Sequence, residues 1–190
     1  MNTTRFDSQH KGGKQRYANR NQESYERNRP RGRRADVCRC WNTLTIRLPP
    51  ERTAGHAVVM RGGIPPRAAI PLHNHESPEI FYILEGTMEV FQDDGESSGW
   101  QTAGVGDVVT IAGGVKHALR NPGDTTVMTV LVAEEQLFRF LRELAEPLAT
   151  GDVPPVPTPE VMRRLFEVAA RYRYWIGSPE ENAAIGLLLG

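Results

Sequence analysis

The sequence predicts a mainly β domain, a sandwich or a barrel, followed by helices. Short β-rich runs recur between residues 41 and 133: TLTIRL, GHAVVMR, AAIPLH, EIFYIL, TMEVFQ, DVVTIA, KHALRN and TVMTVLVA. Gly, Pro, Asn and Asp punctuate them, the pattern of many short strands joined by tight turns. No helix of ten residues fits inside this block. After Val132 the apolar residues change to a helical period.

The segment before the β block differs in composition. Residues 1–36 carry ten Lys/Arg against four acids, so this arm is +6 and the remainder of the neutral chain is −6. The arm is nearly free of aliphatic residues and reads as disordered, because it cannot bury enough surface to offset its ordering entropy. Such a basic arm suits a solvated tail better than a nucleic-acid reader, since it shows no recognisable DNA- or RNA-binding motif. The chain has two cysteines, Cys38 and Cys40, which are too few for a disulfide framework. They are expected to be reduced thiols in a cytoplasmic protein. No apolar stretch is long enough for a membrane span, and no secretory leader pattern stands at the N-terminus.

Within the β block, residues 79–85 (EIFYILE) form a strand whose alternate residues Glu79, Phe81 and Ile83 share one face. The stretch 92–103 (QDDGESSGWQTA) reads as a loop, and the sequence leaves open whether its Trp100 covers a pocket mouth. Beyond Val132, EEQLFRFLRELAEPL places Leu137, Phe138, Leu141 and Leu144 at helical spacing, with Pro147 as the expected stop. Residues 150–157 (TGDVPPVP) are a stiff linker. A second helix begins with Thr158 as N-cap and Pro159 in the first turn, and runs to about Tyr172. The apolar tail AIGLLLG is expected to pack on the domain. The resulting division is an arm over 1–36, a β-barrel over 37–133 and a helical extension over 134–190.

The chemistry concentrates in HNHESPEIFYILEG, residues 73 to 86. In a strand, residues i and i+2 point to one face, so His73 and His75 project together. Pro78 cannot sit within a ladder and bends the chain. Glu79 then opens the next strand and can face back toward the imidazoles. Two imidazoles and a carboxylate are ligand chemistry for a divalent transition metal. A third imidazole, His117, starts a strand after the Ala112-Gly113-Gly114 turn, and a barrel would bring it beside the first pair. His10 falls in the arm. His56, on an early strand, either faces outward or lies near the metal as an acid/base.

These two segments resemble the paired motifs of the cupin superfamily. The first reads His73, His75, three residues, Glu79, six residues, Gly86. The second reads Gly106, five residues, Ala112-Gly113-Gly114, two residues, His117, three residues, Asn121. Ala112 stands where the family has proline, and Arg67 where it has a glycine ahead of the first histidine. The resemblance implies a double-stranded β-helix (a jelly-roll cupin barrel). It implies one divalent transition metal per chain, Fe, Mn, Ni, Co, Zn or Cu, held by His73, His75, Glu79 and His117. Glu79 would double as a catalytic base. Phe81, Ile83, Leu119 and Met60 are the expected walls of a substrate pocket.

The helical tail is loosely similar to that of quercetinase-like cupins. The resemblance therefore implies an oxidoreductase, a dioxygenase-like enzyme acting on a small organic molecule. The alternatives are a non-catalytic metal- and ligand-binding cupin (a sensor or store) and a cupin isomerase, lyase or cyclase. A homodimer through an open β edge is expected.

Overall fold

The computed structural model describes residues 36–38, 42–147 and 158–188. The arm up to residue 35, Cys40 and the proline-rich stretch 150–157 lie outside the described residues, as does the side chain of Cys38. In chain order the strands are β1 (Asp36–Cys38), β2 (Asn42–Leu48), β3 (Val58–Ile64), β4 (Ala69–Asn74), β5 (Glu79–Glu85) and β6 (Met88–Asp93). They continue with β7 (Ser98–Ala103), β8 (Val108–Ile111), β9 (Lys116–Arg120), β10 (Val127–Ala133), β11 (Ala145–Pro147) and β12 (Trp175–Ile176). The α-helices are α1 (Glu135–Leu144), α2 (Pro159–Tyr172) and α3 (Pro179–Ala184).

The strands form two antiparallel sheets, with orders β11-β1-β2-β3-β10-β5-β8 and β12-β4-β9-β6-β7. From β3 to β10 the chain crosses repeatedly between the sheets, with β6–β7 as the one hairpin kept within a sheet, which is the jelly-roll arrangement expected from the sequence. Alternation along each strand builds the interior: β10 is buried at every second residue, and so is β5 at Glu79, Phe81 and Ile83. The main core holds Met60, Ile83, Met88, Ile111, Leu119 and Val127. A second cluster, Leu72, Phe91, Ala118 and Leu187, lies on the other face of the five-stranded sheet, as the alternation of Ala118 with Leu119 requires.

Several elements depart from the sequence reading. The stretch 98–103 is a strand rather than loop, paired with β6 from Met88↔Ala103 to Asp93↔Ser98. The Asp94 side chain closes the hairpin by accepting the N–H groups of Glu96 and Ser97 at 2.9 and 2.8 Å. Trp100 does not cover the pocket. It faces the outer cluster, where its Nε1–H donates to the Ile185 carbonyl at 2.8 Å and the Arg120 guanidinium stacks over it at 4.0 Å. β3 starts later than GHAVVMR suggested, because Thr53 Oγ1 bonds both backbone groups of Ala57 and holds residues 53–57 in a turn. Helix α1 stops at Leu144, before Pro147. Residues 145–147 turn extended and pair with β1.

Helix α2 follows its sequence signals. The Thr158 hydroxyl accepts the Val161 N–H, Pro159 sits in the first turn and Glu160 faces the helix dipole. Arg173, at φ 60°, ends the helix and turns the chain back toward the barrel. The segment that follows was not anticipated. β12 joins the edge of β4, with Trp175 opposite Asn74 and Ile176 opposite His73. A Ser178–Glu181 capping box then opens α3. Leu187 of the apolar tail packs in the outer cluster while Leu188 is exposed.

Candidate metal centre

Three imidazoles meet inside the barrel. His73 lies in β4, His117 in β9, and the two stand opposite each other in register. A bulge between Ile70 and His73, at Pro71 and Leu72, turns both Ile70 and His73 inward. His75 sits one residue past the end of β4. The ring centroids of His73, His75 and His117 lie 4.0–5.6 Å apart, and their ligating nitrogens fall within 4.8 Å of one another. Glu79, at the start of β5, faces two of them: Oε2 is 3.3 Å from His117 Nε2 and Oε1 is 3.8 Å from His75 Nε2.

Each ring is oriented by a backbone carbonyl. His73 Nδ1 meets Pro71 O at 2.7 Å, His75 Nδ1 meets Ser77 O at 2.8 Å, and His117 Nδ1 meets Val115 O at 2.9 Å. A carbonyl only accepts, so each Nδ1 carries the proton and each Nε2 keeps its lone pair. The Nε2 atoms of His75 and His117 and Oε2 of Glu79 are buried without a hydrogen-bond partner. Two acceptors therefore face each other at 3.3 Å between His117 and Glu79. That arrangement is costly in a buried site unless a cation lies among the lone pairs. The donor set fits a divalent transition metal on this ground. Burial, with the neighbouring imidazoles of His117 and His75, holds His73 well below the ordinary histidine pKa. Burial also lowers His75, against the pull of the Glu79 charge. Both rings are thus neutral near pH 7 and ready to bind through Nε2.

The supporting turns explain the remaining motif letters. Gly114, at φ 80°, donates its N–H to the His75 carbonyl at 2.8 Å. A Cβ on Gly113 would stand 2.1 Å from the Glu76 carbonyl oxygen, so only glycine fits against the loop that carries His75. Buried Asn121 donates to the carbonyls of Ile64, Pro65 and Thr125 and accepts the Gly123 N–H, joining three segments beside the site. Asp107 closes its turn by accepting the Gly104 N–H at 2.7 Å.

A cavity of about 110 Å³ opens from His73, His75 and Glu79. Its walls are apolar: Leu44, Ile64, Ile70, Phe81, Leu119 and Leu131 from the sheets, and Leu137, Phe140, Leu141, Leu144 and Leu165 from α1 and α2. The helices thus close the barrel over the histidines. Phe81 and Leu119 stand on the wall. Met60 and Ile83 do not: both are fully buried in the core, and Met60 borders a smaller void against Phe138 and Leu141. Shared parity puts a side chain inside the barrel but does not fix its height there. His56 is exposed, ahead of β3 and away from the site.

One polar wall residue gave no signal in the sequence. Tyr174 precedes β12, with its ring 4.9 Å from that of His75. Burial, with a smaller push from Glu79, raises its phenol to about 12, so the hydroxyl keeps its proton. The turn at Arg173 and the pairing of β12 with β4, neither visible in the sequence, bring this tyrosine to the cavity.

Residues 60–133 match the family model for the cupin domain. This part of the chain belongs to the cupin superfamily. A germin-like protein of Oryza sativa subsp. japonica is 30% identical over 124 residues, covering 64% of this chain and 54% of that protein. The chain thus spans about half the length of this curated relative. Among solved structures, a predicted oxalate decarboxylase from Thermotoga maritima is 27% identical, with a TM-score of 0.42 over 49% of this chain and 79% of that one. The Lactobacillus farciminis oxalate decarboxylase is 22% identical, with a TM-score of 0.43 over 49% of this chain and 28% of that one.

Proposed function

We propose that this protein is a metal-dependent enzyme, dioxygenase-like, acting on a small apolar organic substrate inside the barrel. The observation that carries the reading is the set of free, buried Nε2 and Oε2 lone pairs opening onto an apolar cavity. His73, His75, His117 and Glu79 would hold one divalent transition metal, Fe, Mn, Ni, Co, Zn or Cu. A metal there would supply Lewis-acid charge. The backbone carbonyls of Pro71, Ser77 and Val115 fix the ring orientations. Glu79, the carboxylate at the cavity floor, can take a proton from an incoming hydroxyl or enol. The walls from α1 and α2 keep water from the reacting end.

No Lys or Arg is among the described residues lining the cavity. A dicarboxylate would leave a charge unpaired there, so a substrate with a single oxygen head suits it better. A binding module without turnover uses the same site, and an oxygen-uptake screen separates the two. Metal-loaded protein that consumes O₂ with flavonols or other enolizable compounds, and stops doing so as Glu79→Gln, supports the enzyme. Tight binding of such compounds with no turnover under any metal sinks it and leaves the sensor or store, or a cupin isomerase or lyase.

A homodimer is part of this reading. β8 ends its sheet, and Ile80, Tyr82, Val105 and Val108 are exposed beside that edge. Sedimentation as a monomer at micromolar concentration would count against it. Among the described residues no helix is long and apolar enough to cross a membrane. The two-cysteine composition supports a cytoplasmic setting.

A further inference from the structure

Tyr174 is buried, 8% exposed, on the wall of the cavity. Its ring packs 4.9 Å from His75 and 4.7 Å from Phe140. Its hydroxyl makes no hydrogen bond, and neither does the buried hydroxyl of Ser77. The Ser77 hydroxyl is near enough to hold the Tyr174 phenol below where burial alone would push it, but the two do not meet in hydrogen-bond geometry. Native proteins leave few buried hydroxyls without partners, because a desolvated donor with no acceptor is destabilising. Tyr174 therefore presents an unpaired donor at the polar end of an otherwise apolar space.

We propose that Tyr174 positions the molecule held at the histidine end of the cavity by donating a hydrogen bond to its oxygen head group. The site then selects a phenol- or enol-type ligand, with one anionic oxygen head on an apolar body. This rests on the reading of the site as a metal centre. Three features favour that ligand class. The leucine and phenylalanine walls receive an apolar body. With no Lys or Arg among the described residues lining the cavity, a second anionic group would go unpaired. The Glu79 carboxylate, 3.3 Å from His117 Nε2, opposes a dianion. Tyr174 comes from the chain beyond the barrel, so the helical extension sets specificity as well as closing the cavity.

The test uses the full chain, as wild type and as Tyr174→Phe, with 4-nitrophenol as the probe. Both proteins are loaded with Co(II), their metal content is measured, and their melting temperatures are recorded without probe. The probe is then titrated by its visible spectrum. The expected result is equal metal content, a melting temperature unchanged or raised in the variant, and probe binding weakened about tenfold. Equal probe affinity in the two proteins overturns the proposal. So does a variant that loses the metal, melts several degrees lower or fails to fold, since the hydroxyl would then be a structural partner. Wild type that loads Co(II) but ignores 4-nitrophenol overturns the ligand class. Wild type that takes up no Co(II) is a separate failure, that of the metal centre itself.

Discussion

The side-chain oxygen of Asn182 accepts the backbone N–H of Leu72 at 2.8 Å, across 110 residues of chain and one residue ahead of His73. The amide of the same side chain donates to the carbonyls of Gly177 and Ser178, each at 3.0 Å, and the residue is fully buried. Gly177 adds a backbone bond to Leu72 O at 2.7 Å. The C-terminal segment thus clamps the strand that carries the first histidine. Asn182→Ala should lower the unfolding free energy by about 3 kcal/mol, since three buried groups lose their partner. It should also weaken metal binding. Urea unfolding with a competitive chelator titration would check both.

Asn121 works as a cross-link rather than a ligand. From the end of β9 its amide bonds carbonyls at 2.8–3.0 Å at the end of β3 and just ahead of β10. Asn121→Ala should destabilise the protein by about 3 kcal/mol for the same reason. At low temperature it should still bind one metal, because the residue touches no imidazole. Thermal melting beside metal analysis would show the split.

Gly113 has no room to grow. Alanine there would drive its Cβ into the Glu76 carbonyl, a backbone atom that must move and take the His75 loop with it. Gly113→Ala should cost about 2 kcal/mol or more, the range of overpacked sites. Metal affinity should fall as well. A variant with wild-type melting temperature and metal affinity would show that the loop yields freely.

Arg67 stands at φ 58°, in the left-handed region that glycine prefers. This is the position where the cupin motif has glycine. Its side chain bonds Asp124 twice, at 3.0 and 2.7 Å, on an exposed surface. Arg67→Gly would relieve roughly 1 kcal/mol of backbone strain. It would lose up to about 1 kcal/mol of ion pair and a similar amount to chain entropy. The net change should stay within about 1 kcal/mol in either direction, read by urea unfolding.

The jelly roll was legible because its strands alternate and its turns carry Gly, Pro and Asp. The four polar residues of the site were legible because two spacings, His73 to Gly86 and Gly106 to Asn121, coincide in one chain. Less came through where tertiary contacts decide. SGWQTA has only Ala103 buried in its run, so β7 shows little alternation, and its pairing with β6 rests on the Asp94 hairpin. β12 is two residues long and exists through its hydrogen bonds to β4. Tyr174 and α3 follow from that pairing, so neither was visible. Met60 and Ile83 were assigned the correct face but the wrong depth, since parity carries no information about position along the barrel.

The most direct test of the metal centre is elemental analysis of protein purified without a metal-affinity tag, beside His73→Ala and Glu79→Ala. The arrangement of free Nε2 and Oε2 atoms predicts close to one equivalent of a transition metal per chain in the wild type, with each variant losing most of it. A folded wild type that stays empty after incubation with Fe, Mn, Co, Ni, Zn and Cu in turn would contradict the account. The buried lone pairs of His117 and Glu79 would then need another partner.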